Sequence, residues 1–166
     1  MRGSLRDRCE DYADRFGVEF HAGEKPWGRV KADVYMPCAT QNEIGLEDAK
    51  RMIEEGTSKL LIEVANMPTK AEAVEELQKA GFMIAPSKAV NAGGVAVSAL
   101  EMSQNAMKLS WTEEEVDEKL KKIMKNIFNN IDSEAKKYGM DGNLIAGANI
   151  AGFLKVAEAM LDEGIF

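Results

Sequence analysis

KLLIEVANMPTKAEAVEELQKAGFMIAP, residues 59–86, is the stretch that decides the fold. Lys59 to Ala65 has the apolar run of a strand, and Asn66-Met67-Pro68 ends it. Thr69 and Glu72 then stand at capping-box spacing. The helix they predict carries Ala73, Val74, Leu77 and Ala80 on one stripe, and Gly81 closes it. Phe82 to Ala85 is the next strand, stopped by Pro86. Strand, crossover helix and strand in so short a stretch predict a βαβ unit, and therefore parallel pairing.

The same grammar extends upstream. Ala32 to Met36 is a strand that stops at Pro37, and Leu46, Ala49, Met52 and Ile53 mark a helix closed by Gly56. Val18-Glu19-Phe20 is a short strand candidate. Ser4 to Phe16 is a helix with Leu5, Cys9, Tyr12 and Phe16 on one face, Ser4 at its cap and Gly17 at its left-handed end. Downstream the alternation stops. Gly93-Gly94 interrupts a helix-friendly stretch that runs to Leu109. Thr112 and Glu115 form a second capping box, ahead of a long helix with Val116, Leu120, Ile123, Ile127, Ile131 and Ala135 along one face. Leu144 to Glu163 is a last helix rich in Ala and Gly, which predicts close packing on more than one side. The fold class is α/β, a partial parallel sheet followed by C-terminal α-helices.

Composition narrows the function. The chain has 166 residues, 21 Lys plus Arg against 28 Asp plus Glu, and a formal charge of −7. A hydrophobic fraction of 45% with 30% charged residues is that of a globular domain. The acidic balance, with a pI near 4.9, argues against a nucleic-acid partner. No run approaches the ~18 apolar residues of a membrane helix, so no membrane is expected. The charged start, Met1 to Arg8, has no signal-peptide core. Cys9 and Cys38 have neither disulfide-framework nor metal spacing, and there is one histidine, so no metal is expected and a reducing, cytoplasmic setting fits. Cys38 is expected as a buried structural thiol, His21 at the surface, and the ten methionines mostly as core filler on helix faces.

In an open parallel sheet, ligands bind beyond the carboxyl ends of the strands. Three strands here end in Pro37-Cys38-Ala39-Thr40-Gln41-Asn42, Ala65-Asn66-Met67-Pro68 and Pro86 to Gly94. Their shared content is amide and hydroxyl groups, which read hydroxyls, carboxamides and phosphates. Each loop taken alone is equally a set of turn formers and helix caps. Gly93-Gly94 fits close backbone approach to a ligand or a simple helix start. Ser98, one turn further on, fits a helical serine bonded back to its own backbone.

These loops, with Glu101-Met102-Ser103-Gln104-Asn105, Ser110-Trp111-Thr112 and Gly147-Ala148-Asn149-Ile150-Ala151-Gly152-Phe153, resemble the glutamate dehydrogenases of the small hexameric class, often NADP-specific in bacteria. The resemblance covers nearly the whole chain. It implies that residues 1–110 are the C-terminal half of a Rossmann-like NAD(P)-binding domain. Residues 111–166 are then a helical tail that packs back on a substrate domain. It implies that Ala39 and Thr40 line the cofactor groove, with Asn66 near the nicotinamide ribose and Asn91 by the nicotinamide. Val95 and Ser98 would meet the substrate, Ser98 at its distal carboxylate. The implied reaction is reversible hydride transfer between L-glutamate and NAD or NADP, through an imine, giving 2-oxoglutarate and ammonia. The catalytic lysine and aspartate and the Gly-rich phosphate turn of the family have no counterpart here, so this chain corresponds to a C-terminal fragment expected to be inactive alone. A non-catalytic nucleotide-binding or interaction module, or a related amino-acid dehydrogenase, are the other readings of the same residues. A homo-oligomer, hexameric in the family, is implied, and the fragment itself is expected to self-associate.

Overall fold

The computed structural model describes residues 8–164. The element order is α1 (Cys9–Phe16), α2 (Leu46–Glu55), β1 (Leu60–Ile62), α3 (Ala71–Lys79), β2 (Met83–Ala85), α4 (Ser87–Val90), α5 (Ala92–Met107), α6 (Glu113–Lys137) and α7 (Leu144–Glu163). The predicted βαβ unit forms. β1 and β2 pair in parallel, with Leu60, Leu61 and Ile62 opposite Met83, Ile84 and Ala85. On the other edge of β1 the expected strand over Ala32–Met36 shrinks to one parallel bridge, Tyr35 to Leu61. The Tyr35 N–H donates to the Leu60 carbonyl (3.0 Å), and the Ile62 N–H donates to that of Tyr35 (2.9 Å). Val34 and Met36 are exposed beside it.

The core of this layer is Tyr35, Ile44, Met52, Leu61, Leu77 and Ile84. Tyr35 also donates its hydroxyl to Glu55 (3.2 Å) at the end of α2. Burial and then that bond hold the phenol above its ordinary range. The Thr57 hydroxyl on the same carboxylate holds Glu55 below the usual carboxylate range. Buried Asp48 caps α2 by accepting from the Gly45 N–H (2.9 Å) and also takes Lys25 (3.3 Å) and Arg51. A second cluster, Ala89, Ile131, Leu144 and Ala148, joins α4 to α6 and α7.

Several expectations are met in detail. Gly17 and Gly56 end α1 and α2 in left-handed backbone (φ 65° and 72°). Thr112 and Glu115 make both bonds of their capping box (3.3 and 2.8 Å). His21 is exposed beside Glu19.

Others are corrected. Val18–Phe20 is no strand, and Val18 and Phe20 stand exposed. The Thr69–Glu72 capping box does not form. The Lys70 N–H is spent on the Ile44 carbonyl (2.9 Å), Lys70 becomes the N-cap, and the buried Thr69 hydroxyl has no partner. The helical stretch breaks at Asn91 rather than at the glycines, and Gly93 and Gly94 fall in the first turn of α5, as the helix-start reading has it. Cys38 is exposed, its thiol turned to the Met36 carbonyl (3.2 Å), while its neighbour Pro37 takes the buried place against the sheet. Most methionines are no core filler: Met36, Met67, Met83, Met102, Met107, Met140 and Met160 are exposed and, among the described residues, only Met52 is fully buried. The long apolar run was underestimated as well. By length and a mean hydropathy of 1.5, α7 could cross a membrane. Core helices of water-soluble folds share that length and composition, and the first turns of α7 pack on α6 through Leu144, Gly147 and Ala148.

That packing is close on one side of α7 only. A Cβ on Gly147 would lie 2.0 Å from the Ile131 carbonyl oxygen, whereas one on Gly152 would meet nothing within 4 Å. The helices cannot approach this way with any side chain at 147. Gly147→Ala is therefore expected to destabilise the chain by ~1–3 kcal/mol through forced separation of α6 and α7. Gly152→Ala should stabilise it by up to ~1 kcal/mol from helix propensity alone. Urea unfolding followed by circular dichroism reads both signs.

Candidate functional site

The ladder continues past the strand ends and gathers three loops. Val64 and Ala65 both donate to the Pro37 carbonyl (3.2 and 2.9 Å), and the Glu63 N–H donates to that of Ala85 (3.0 Å). Asn42 then donates to the Met67 carbonyl (2.9 Å) and Ile44 to that of Pro68 (2.9 Å). The loops after Tyr35, β1 and β2 therefore meet at one edge of the sheet, as a parallel arrangement requires.

Between the second and third loops lies an open cleft of about 530 Å³, lined by Val64, Ala65, Asn66, Lys88, Asn91, Ala92 and Val95. The Asn91 side-chain N–H donates to the Asn66 side-chain oxygen at 2.6 Å, which brings two of the predicted residues into contact. That bond leaves the Asn66 NH₂ and the Asn91 carbonyl oxygen without a side-chain partner among the described residues, and both residues line the cleft. Val95, on the first turn of α5, shares the cleft. Ala39 and Thr40 do not line it; both are exposed on the neighbouring loop, where the Thr40 N–H reaches Glu43 (3.4 Å). Ser98 is exposed one turn beyond Val95, its hydroxyl donating weakly to the Gly94 carbonyl (3.3 Å).

Sequence reasoning gave no role to Lys88, which lines the cleft and whose ammonium bonds the Asn149 side chain on α7. It also passed over Glu63 and Ser87. Glu63 is buried (6% exposed) and its carboxylate accepts from the Ser87 N–H (3.1 Å). The Ser87 hydroxyl in turn accepts from the Met67 N–H (3.4 Å). The available signal was one acidic residue inside the apolar run from Lys59 to Ala65, which a purely structural strand has no reason to carry.

In open α/β domains, loops that converge beyond the ends of parallel strands are where ligands bind. The amide donors and acceptors of this cleft fit the carboxamide and ribose hydroxyls of a nicotinamide nucleotide. Residues 3–164 match the model of the Glutamate/Leucine/Phenylalanine/Valine dehydrogenase family, and the chain belongs to that family. It is 55% identical to the NAD-specific glutamate dehydrogenase of Clostridium symbiosum, over 99% of this chain and 36% of that protein. It is 48% identical to the NADP-specific glutamate dehydrogenase of Haemophilus influenzae, over 100% of this chain and 37% of the relative. A solved glutamate dehydrogenase of Plasmodium falciparum superposes with a TM-score of 0.90 at 45% identity, over 98% of this chain and 35% of that one. The chain thus spans little more than a third of the length of these relatives.

Proposed function

We infer that this chain is the C-terminal part of an NAD(P)-dependent glutamate dehydrogenase, which converts L-glutamate to 2-oxoglutarate and ammonia and runs the reverse reaction as well. The observation that carries the reading is the Asn66–Asn91 amide pair in the cleft at the strand ends. A nicotinamide cofactor bound there supplies the hydride acceptor. Asn66 and Asn91 orient its carboxamide and ribose through their free amide poles. Ala39 and Thr40 flank the same nucleotide on the neighbouring loop. Val95 and Ser98 face the substrate along one side of α5. The Ser98 hydroxyl now spends its proton on a long bond to Gly94, so turning that proton to a distal carboxylate sacrifices little.

On this reading, residues 1–110 complete a Rossmann-like domain, and residues 111–166 pack back on a substrate domain that holds the catalytic lysine and aspartate. The working enzyme is a homo-oligomer, a hexamer, in the cytoplasm. Exposed, unpaired Cys9 and Cys38 suit a reducing compartment. Residues that choose between NAD and NADP follow an earlier strand of such a domain.

Ser98→Ala in the full-length protein carrying this segment is expected to lower kcat/KM for glutamate by ~10- to 100-fold, the worth of a hydrogen bond to a charged group. Norvaline, with no distal carboxylate, should lose far less. Steady-state series on both substrates test this, and equal losses would leave Ser98 a helix residue with no part in selection. The isolated chain, assayed with glutamate and either coenzyme, should show no turnover above background; measurable turnover would mean that the catalytic groups are here after all.

The surface supports a partner for the chain alone. Its accessible area is 11934 Å². A self-contained monomer of its mass exposes about 8,100 Å². Exposed apolar side chains contribute to the surplus: Val34 and Met36 beside the sheet edge, and Val95, Met102, Phe153 and Leu161 on α5 and α7. Unpaired edges and large apolar patches associate. Light scattering of the isolated chain should find dimers or larger species; a monodisperse monomer across a hundredfold concentration range would contradict the expectation.

A further inference from the structure

We propose that Glu63 and Ser87 are positioning residues for the nicotinamide side of the cleft, with Glu63 fixing the helix that presents Asn91 and Ser87 fixing the loop that presents Asn66. The inference rests on the glutamate dehydrogenase reading and goes beyond it, since neither residue lines the cleft.

Glu63 is the first residue past β1. It is 6% exposed and, among the described residues, forms no ion pair. Burying a carboxylate without a cation is costly unless hydrogen bonds offset it. Its Oε2 accepts from the Ser87 N–H at 3.1 Å, the first N–H of α4. That bond joins the end of β1 to the start of the element after β2, across the gap the backbone ladder leaves open once the Glu63 N–H has reached Ala85. α4 is a single turn and is followed at once by Asn91. A one-turn helix has almost no stability of its own. Its place is set by what holds its first residue, by Ala89, which is buried against α6 and α7, by the Lys88 bond to Asn149 and by its continuation through Asn91 into α5.

Ser87 carries the constraint onward. Its hydroxyl accepts from the Met67 N–H at 3.4 Å. Met67 is one of three described non-glycine residues with positive φ, at 43°. A side-chain-bearing residue holds that conformation only where its surroundings impose it. Its carbonyl is held by the Asn42 N–H (2.9 Å) and its N–H by Ser87, and the residue between Ala65 and this fixed point is Asn66. Glu63, Ser87 and Met67 thus form a closed tie beneath the Asn66–Asn91 contact, so a shift at Glu63 moves both amides relative to each other.

The test uses the full-length protein with three substitutions. Glu63→Gln keeps an oxygen acceptor for the Ser87 N–H. Glu63→Leu removes it. Ser87→Ala removes only the hydroxyl and keeps the backbone donor. Expected results are a ~10-fold or greater loss of coenzyme affinity by fluorescence titration for Glu63→Leu, a loss of ~3-fold or more for Ser87→Ala, and recovery to within ~2-fold of wild type for Glu63→Gln. Amide hydrogen exchange without coenzyme supplies an independent readout. Protection should fall at Met67 in Ser87→Ala, and at Ser87 to Asn91 in Glu63→Leu but not in Glu63→Gln. If Glu63→Leu does not fold, Ser87→Ala and Glu63→Gln decide. The proposal is overturned if Glu63→Gln is as impaired as Glu63→Leu, or if Ser87→Ala leaves both coenzyme affinity and Met67 exchange unchanged. It is overturned too if exchange changes while coenzyme affinity does not, since the tie is then structural only. A wild-type protein that binds coenzyme but does not oxidise glutamate defeats the glutamate dehydrogenase reading, while the affinity and exchange comparisons still judge the tie.

Discussion

β1 is paired on both edges, and the rest of the structure depends on that. Three residues with Leu61 at their centre, fully buried, hold Tyr35 on one side and β2 on the other. Because both pairings are parallel, all three chain segments run the same way and leave the sheet at the same end. The backbone then has no choice about where its next groups go: Val64 and Ala65 share the Pro37 carbonyl, and Glu63 takes that of Ala85. The loops converge because the hydrogen-bond ladder carries them there, and the cleft is the space left between them.

How much of this could be read from the residues follows from which forces are local. Apolar periodicity, caps and glycine ends are local, so α2, β1, β2, α6 and α7 were legible. The Thr112–Glu115 box formed because nothing competes for its backbone. The Thr69–Glu72 box failed because Thr69 is drawn into a bridge with Ile44, distant in sequence, and the helix starts one residue later with Lys70 as its N-cap. Val18–Phe20 has strand-like residues, yet strand existence depends on a neighbour, and none pairs with it among the described residues. The exposure of Cys38 and of most methionines was hidden for the same reason, since hydrophobicity states a preference for burial without saying what is there to bury against.

The cleft divides in the same way. Asn66 and Asn91 stand in loops that a parallel sheet points to for ligand binding, whereas Val95 was singled out only by the family resemblance; the structure gathers all three at one cleft. The groups beneath them were not legible. Glu63 sits in a run otherwise suited to a buried strand, and its partner is a backbone N–H whose position only the folded sheet defines. Lys88 was visible in the loop, but its reach to Asn149 on α7 joins segments far apart in sequence. Each of these residues works through tertiary placement, and composition carries no trace of it.

The small residues of α7 show both kinds of information in one helix. Gly147 is explained within this chain: the Ile131 carbonyl lies where its side chain would be. Gly152 has no such neighbour, and beyond it Phe153, Val156, Met160 and Leu161 stand exposed. A helix that faced only water from that point on would place polar residues along one side. Its first turns have the composition of an interface that is present, and its later turns that of an interface not made within this chain. The same holds at the sheet edge beside Tyr35, where Val34 and Met36 are strand residues without a strand to meet. These two surfaces belong to different elements but carry one physical message: the sequence encodes more burial than 166 residues can supply to themselves.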